Sequence, residues 1–274
     1  MVPTDLKTID PNPRGGGRGG RGMWVNGDRV YGASRDRIHI FDRDLNELNS
    51  VSNGVLVGSH EVFMERPGFL CVAATNVDAA LEISLEDGEF ARTYWPREDQ
   101  RLQDSLDLTP MDVDKTIDNR ALMVAARTHF QDPSHLHLNA IAWWKGEIHA
   151  LFNEKGVMVN LDQSRVVIEH KMLHLVHNLV VIDDQLFMDS TQFRTVCQFD
   201  LPSGRLVRSL ALQDLPWVRN LEKSLAGPLW RRLSRKKPDT PWWGWSGDAA
   251  FRAETPGSRR YRLCRHCTRH DPLH

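Results

Sequence analysis

The chain has 274 residues, of which 41% are hydrophobic and 26% charged, and its formal net charge is −1. This is ordinary globular composition with enough apolar residues for a sizeable core. The near-neutral charge excludes a general attraction to nucleic acid or to anionic membranes.

The compartment is predicted from three further features. The four cysteines suggest no disulfide framework, and Cys71 and Cys197 lie in apolar runs where we expect buried thiols. The N-terminus has no apolar signal region, and no apolar run is long enough to span a bilayer. We therefore expect a soluble cytoplasmic protein that does not bind membranes.

Residues 1–21 are predicted to be a flexible leader. They contain three prolines and the run Arg-Gly-Gly-Gly-Arg-Gly-Gly-Arg, and glycine of this density cannot pack. An RNA-binding segment of the RGG type is the alternative, but three arginines are few for it. Nucleic acid is therefore not an expected partner.

Four later segments can be superimposed as a repeat. They start at Gly22, Glu61, Asn139 and Asn178, which are 39, 78 and 39 residues apart. Each segment has a short apolar strand, a polar turn, a second apolar strand, a loop and a third strand that usually ends near an acidic residue. In the second and fourth segments another turn and a potential fourth strand follow.

A period near forty residues with up to four strands per unit is typical of propeller blades. One blade cannot bury both of its faces, whereas stacked blades can. We therefore predict an all-β protein, a β-propeller of about six four-stranded blades over residues 22–216, whose last part is incomplete or aberrant. A β-sandwich with accidental spacing is the alternative.

Residues 98–138 interrupt the repeat. They are rich in acidic and polar residues, and only 121–126 resembles a strand. This interval is either a degenerate blade or a long insertion between blades.

Residues 217–274 differ in composition from the rest of the chain. They hold 13 Lys and Arg against 5 Asp and Glu, and the final residues show neither strand nor helix periodicity. We expect either a disordered basic tail or a sequence read out of frame after a frameshift. Four potential zinc ligands near the end are too closely spaced for a classical finger: Cys264, Cys267, His270 and His274.

Polar residues recur at the predicted blade starts. In a propeller the innermost strands begin around one mouth of the central channel, so these positions should converge. Imidazole and carboxylate groups suit a divalent metal such as Zn, Mn or Fe, which can activate water. The alternative is that they satisfy backbone groups and ordered water. The candidate metal ligands are His60, His137 and His177, and the candidate ligand-binding residues are Glu61, Asn139 and Asn178; His135 and His174 share a second register. Four polar residues that follow the second strands either line the same mouth or cap turns: Asn76, Asp78, Asn153 and Asp189.

The repeated form, with His and Asn before an apolar hairpin and then Leu-Asp or Phe-Asp, resembles the six-bladed propellers of the NHL and gluconolactonase-like superfamily. It also resembles a bacterial group of propellers with similar His-Asn blade starts. The resemblance covers residues 22–213 and implies an axial divalent metal held by Glu, Asn and Asp. Glu61, Asn139 and Asn178 match such positions, whereas the added histidines depart from the pattern.

The fold alone does not select a function. We expect a module that binds a small molecule or a protein partner at the channel mouth. A metal-dependent hydrolase or lactonase is the alternative, and whether the protein is an enzyme stays open.

Overall fold

The computed structural model describes residues 22–120, 135–190, 192–218 and 220. The chain divides into two compact units, Met1–Leu212 and Gln213–His274. All described strands belong to the first unit. Among the described residues, no helix is both long and apolar enough to cross a membrane.

Sixteen strands in the described residues form four antiparallel sheets, each with its four strands in chain order. We call these sheets blades 1 to 4. Blade 1 contains β1 (Met23–Asn26), β2 (Arg29–Ala33), β3 (Arg37–Phe41) and β4 (Glu47–Ser52). Blade 2 contains β5 (Ser59–Phe63), β6 (Phe69–Ala74), β7 (Ala79–Ser84) and β8 (Phe90–Tyr94). Blade 3 contains β9 (Leu138–Trp144), β10 (Glu147–Phe152), β11 (Val157–Asn160) and β12 (Arg165–Glu169). Blade 4 contains β13 (Val176–Ile182), β14 (Gln185–Ser190), β15 (Thr195–Asp200) and β16 (Arg205–Ala211).

Tight turns define the first hairpin of the blades. In blade 3 the turn residues Lys145 and Gly146 have φ values of 52° and 81°. Positive φ at both central residues is the turn geometry whose twist matches that of paired antiparallel strands. Glycine tolerates this conformation without a steric penalty, which explains the Lys-Gly sequence between two apolar runs.

The blades pack in chain order, because contacts join β1 with β5, β5 with β9, and β9 with β13. Three apolar clusters fill the spaces between successive blades. We call the face of a blade towards the preceding blade its front face, and the face towards the next blade its back face. In blade 2, for example, Val62 and Val72 lie on the front face and Cys71 and Ala73 on the back face.

This arrangement confirms the prediction of an all-β propeller of four-stranded blades. The described residues form four of the roughly six blades predicted. Cys71 and Cys197 are free and buried, as expected.

The start of the interval 98–138 contains helix rather than strand. A 3₁₀ turn, Pro96–Glu98, leads into α1 (Gln100–Leu106), and the described residues up to 120 contain no strand. Leu102 packs with the cluster between blades 2 and 3, and Val113 with the cluster between blades 1 and 2. Strand β9 contacts β5, β6 and β7 directly, so blade 3 follows blade 2 without an intervening sheet.

Several predictions fall on residues outside the described ranges. They are the flexible leader at 1–21, the strand-like segment 121–126, and the composition and reading frame of the basic C-terminal region beyond position 220.

Candidate functional site

The site lies at the end of the blades where the innermost strands β5, β9 and β13 begin, which we call the mouth. Loops between the second and third strands hold these strand starts in place. Each such loop in blades 1 to 3 accepts hydrogen bonds from backbone N–H groups at the start of the following blade. The acceptors are Arg35 O for Gly58 N (2.7 Å) and Ser59 N (3.1 Å), Asp78 for Leu136 N (3.0 Å) and Leu138 N (3.4 Å), and Asn153 Oδ1 for Val176 N (2.7 Å).

Asp78 is the most buried of these acceptors. Its Oδ2 lies 3.4 Å from Nη1 of Arg97, and its Oδ1 lies 3.5 Å from Nε2 of His135. Burial raises the pKa of Asp78, although His135, backbone N–H groups and Arg97 act in the opposite direction. A second buried ion pair joins Arg120, in the interval after blade 2, to Asp36, in the loop between β2 and β3 of blade 1, at 3.5 Å. This pair links the interval to the same end of the blades.

The innermost strands are irregular at their starts. Register shifts occur between Ser59 and Val62 in β5 and between His177 and Val180 in β13. In β9 the pairing with β10 skips Asn139. Bulges of this kind redirect side chains away from the regular alternation.

Backbone conformation adds to this redirection. His137 and Asn178 have φ values of 52° and 55°. Gly22 lies against the bulge of β5, where a Cβ atom would come within 2.8 Å of Cα of Glu61. The start of blade 1 therefore needs glycine in order to pass this close to the mouth.

The predicted histidines come together at the mouth. The ring centroid of His60 lies 5.4 Å from that of His137 and 6.2 Å from that of His177. His135 joins them, with its ring 5.6 Å from that of His137. We call His60, His135, His137 and His177 the histidine cluster. His174, which shares a register with His135, instead packs over Gly156.

Two carboxyl groups lie beside this cluster. The pKa of Glu61 is raised to about 7, first by burial and then by the nearby charge of Asp189, and no hydrogen bond from another described residue opposes the shift. Asp189 pairs across the β13–β14 hairpin with His177. Its Oδ2 accepts a hydrogen bond from Nδ2 of Asn178 (3.1 Å), whereas its Oδ1 is buried without a partner among the described residues.

Asn139 connects the cluster to blade 4. Its Nδ2 donates to the carbonyl oxygen of Val176 (2.7 Å) and lies 3.4 Å from Nδ1 of His177. Its Oδ1 is buried and, within the described ranges, has no hydrogen-bond partner. The hydroxyl oxygens of Ser59 and Ser190 share this property. Buried polar atoms at this end therefore lack partners, and those of Asn139 and Asp189 are acceptor oxygens.

Sequence reasoning placed Glu61, Asn139, Asn178 and the three candidate histidines at one end, and the structure brings them together there. The sequence left Asp189 open between a turn and the mouth, and the structure places it within β14, opposite His177. The sequence identifies His135 only by its register, and the structure adds it to the histidine cluster. The available signals were the pairing of Asp189 with His177 across a two-residue turn and the position of His135 two residues before His137.

A metal fits this arrangement poorly. Within the described residues, no group of three or more His, Cys, Asp or Glu side chains is placed so that it could hold a metal ion. The rings of the histidine cluster lie close to one another, but within the described residues they do not form such a group with the neighbouring carboxyl groups.

Comparisons with known proteins give no family. No protein-family model matches the chain, and a search of curated proteins gave no match. Among solved structures, a protein of unknown function from Bacteroides caccae has 11% identity and a TM-score of 0.48 over 72% of this chain and 62% of its own. The Pan2 WD40 domain of Neurospora crassa has 12% identity and a TM-score of 0.43, over 70% and 52%. The computationally designed protein Ika8 has 9% identity and a TM-score of 0.40, over 69% and 48%. The chain thus spans about half to three-fifths of the length of these structures.

Proposed function

We propose that this propeller is a ligand-binding module that holds a small polar molecule at its mouth. One observation carries the proposal: three bulged strand starts place the histidine cluster beside two carboxyl groups that have few partners. Groups with shifted pKa values and buried polar atoms without hydrogen-bond partners concentrate at functional sites. They lower the stability of the fold, and a bound ligand or a reaction can make use of them.

The chemistry of the mouth indicates the kind of ligand. Unpartnered oxygens of Asp189 and Asn139 are acceptors, so the ligand must offer hydroxyl or amino donors. With a pKa of about 7, Glu61 can both donate and accept near neutral pH. The imidazoles add groups that can take either role.

The wider assignment is part of the same proposal. The sequence resemblance at the blade starts supports an assignment to the NHL and gluconolactonase-like propellers. Cytoplasmic location and a small-molecule or protein partner stay predictions from the sequence.

The alternative, a metal-dependent hydrolase or lactonase, requires His60, His137 and His177 to act as ligands. Their proximity supports it, but the lack of a suitable group of three ligands in the described residues makes it less favoured. Plasma mass spectrometry of the purified protein separates the two. We expect no bound metal; about one equivalent that disappears in His137→Ala/His177→Ala would instead support the hydrolase.

The binding proposal is tested by thermal denaturation with a panel of polyols, amino sugars and small amines. We expect at least one class to raise the Tm of the wild type by several degrees, since a ligand at about 100 times its Kd adds roughly 2.7 kcal/mol. His60→Ala/His177→Ala should lose this shift. His39→Ala is the matched control, because His39 lies on β3 and bonds Glu47 and Ser34 instead. A shift that survives in the double variant would disprove the assignment to the mouth.

A further inference from the structure

Blade 1 has an exposed apolar front face. Val25, Val30 and Phe41 are cross-strand neighbours on β1, β2 and β3, so their side chains share this face. Met23 is 69% exposed and Val25 is 55% exposed. The opposite, back face of the same blade carries Tyr31 and other residues that are buried against blade 2.

Blade 4 has an exposed apolar back face. Val180 pairs with Phe187, and Val196 pairs with Leu210, so these four apolar side chains lie on one side of the sheet, which they share with Gln198 and Arg208. Val180 is 50% exposed and Leu210 is 46% exposed. The front face of blade 4, with Leu186 and Phe199, is buried against blade 3.

The two exposed faces are the two halves of one type of interface. Each of the three interfaces between successive blades joins a back face to a front face. Among the described residues, a front face stays open on blade 1 and a back face stays open on blade 4. Every copy of the chain therefore presents both complementary surfaces, which is the condition for head-to-tail association.

We propose that blade 4 of one copy packs against blade 1 of a second copy, and that the reciprocal contact closes a dimeric ring of eight blades. Eight blades lie within the usual range for propellers, so the ring can close after two copies. A second copy fits better than an unrelated partner, because an unrelated protein would have to match two different faces. Exposed apolar side chains on an uncovered blade otherwise favour aggregation. This association does not depend on ligand binding at the mouth.

Sedimentation velocity on the full chain tests the proposal. The chain has a mass of 31.4 kDa, and we expect the wild type to sediment as a dimer of twice that mass. Val25→Glu alters only the front face of blade 1, and Val180→Glu alters only the back face of blade 4. Each variant alone should be monomeric, because every contact in its dimer would include one altered face. Ile117→Glu, at a residue that is 51% exposed and on neither face, should leave the dimer intact.

Mixing the two variants gives the decisive result. An equimolar mixture contains one pair of unaltered faces, so dimer should reappear with a Kd at least about tenfold weaker than that of the wild type, since one of two linked contacts is lost. Circular dichroism checks that the variants are folded. A monomeric wild type, an open-ended polymer, or a Val180→Glu variant that dimerises like the wild type would each overturn the proposal.

Discussion

Asp78 and Glu61 lie at the same end of the molecule and differ in what surrounds them. Burial raises the pKa of both carboxyl groups. Asp78 receives two backbone N–H groups and lies beside Arg97 and His135. Glu61 has a second carboxylate, Asp189, as its electrostatic neighbour.

The difference distinguishes a carboxylate that stabilises the fold, Asp78, from one that can bind a ligand, Glu61. A buried charge is tolerated when hydrogen bonds and an opposite charge replace its hydrating water. Removing that charge then leaves its former partners buried without the interaction. A carboxyl group without such partners costs stability in its charged form. Asp78 therefore belongs to the contact between blades 2 and 3, whereas Glu61 belongs to the site.

The largest expected effect comes from breaking the Asp78 arrangement. Asp78→Ala should lower the free energy of unfolding by about 3–5 kcal/mol, because two backbone N–H groups lose their acceptor and the buried Arg97 loses its carboxylate partner. Urea denaturation measures it. Asp28→Ala, at an exposed residue of blade 1, is the control and should change stability by less than about 0.5 kcal/mol. A loss below about 1 kcal/mol at Asp78 would remove the distinction between the two carboxyl groups.

Removing the charge of Glu61 should raise the free energy of unfolding, and the size of this effect should depend on pH. Its pKa is about 7 in the folded state and 4.5 in the reference state, so the folded protein binds the proton more tightly. Stability linked to Glu61 is therefore present at low pH and is lost as pH rises from about 4.5 through 7. As pH rises from 5 to 8, the wild type should lose roughly 2 kcal/mol of unfolding free energy that the Glu61→Gln variant keeps. The measurement is urea denaturation at both pH values.

Glu98→Gln, at an exposed residue, serves as the matched control for that experiment. A Glu61→Gln variant that follows the wild type at every pH would mean that the Glu61 carboxyl is solvated, and the comparison with Asp78 would then fail.

The smallest expected effect is at Asn153, the neutral counterpart of Asp78 in blade 3. Asn153→Ala removes the acceptor for Val176 N–H and should cost about 1–2 kcal/mol, since a buried donor loses its partner. Asn49→Ala, at an exposed residue of β4, provides the baseline. Equal stability of the two variants in urea would show that the loop of blade 3 does not hold blade 4.

Local signals were sufficient to predict the blades. The repeat placed starts at Glu61, Asn139 and Asn178, and the strands begin at Ser59, Leu138 and Val176. Apolar alternation and turn residues are properties of a few neighbouring residues, so one sequence reveals them. The convergence of three histidines followed from the same period.

The interactions that shape the site could not be predicted in this way. Asp36 and Arg120 are 84 residues apart, and nothing in either local sequence indicates the other. The bulge at Asn139 and the positive φ of His137 depend on how blade 3 packs against its neighbours. Asp189 stayed open between a turn and the mouth, because its strand is longer than the apolar run that identifies it.

The hydrogen bonds between each loop and the start of the following blade favour folding of the blades in chain order. During synthesis the N-terminal part of a chain emerges first and can fold first. Blade 1 then presents Arg35 O before residues 58 and 59 arrive, and blade 3 presents Asn153 before Val176. Each finished blade is a template for the first strand of the next one, so the propeller can grow on the ribosome in the order in which it is translated.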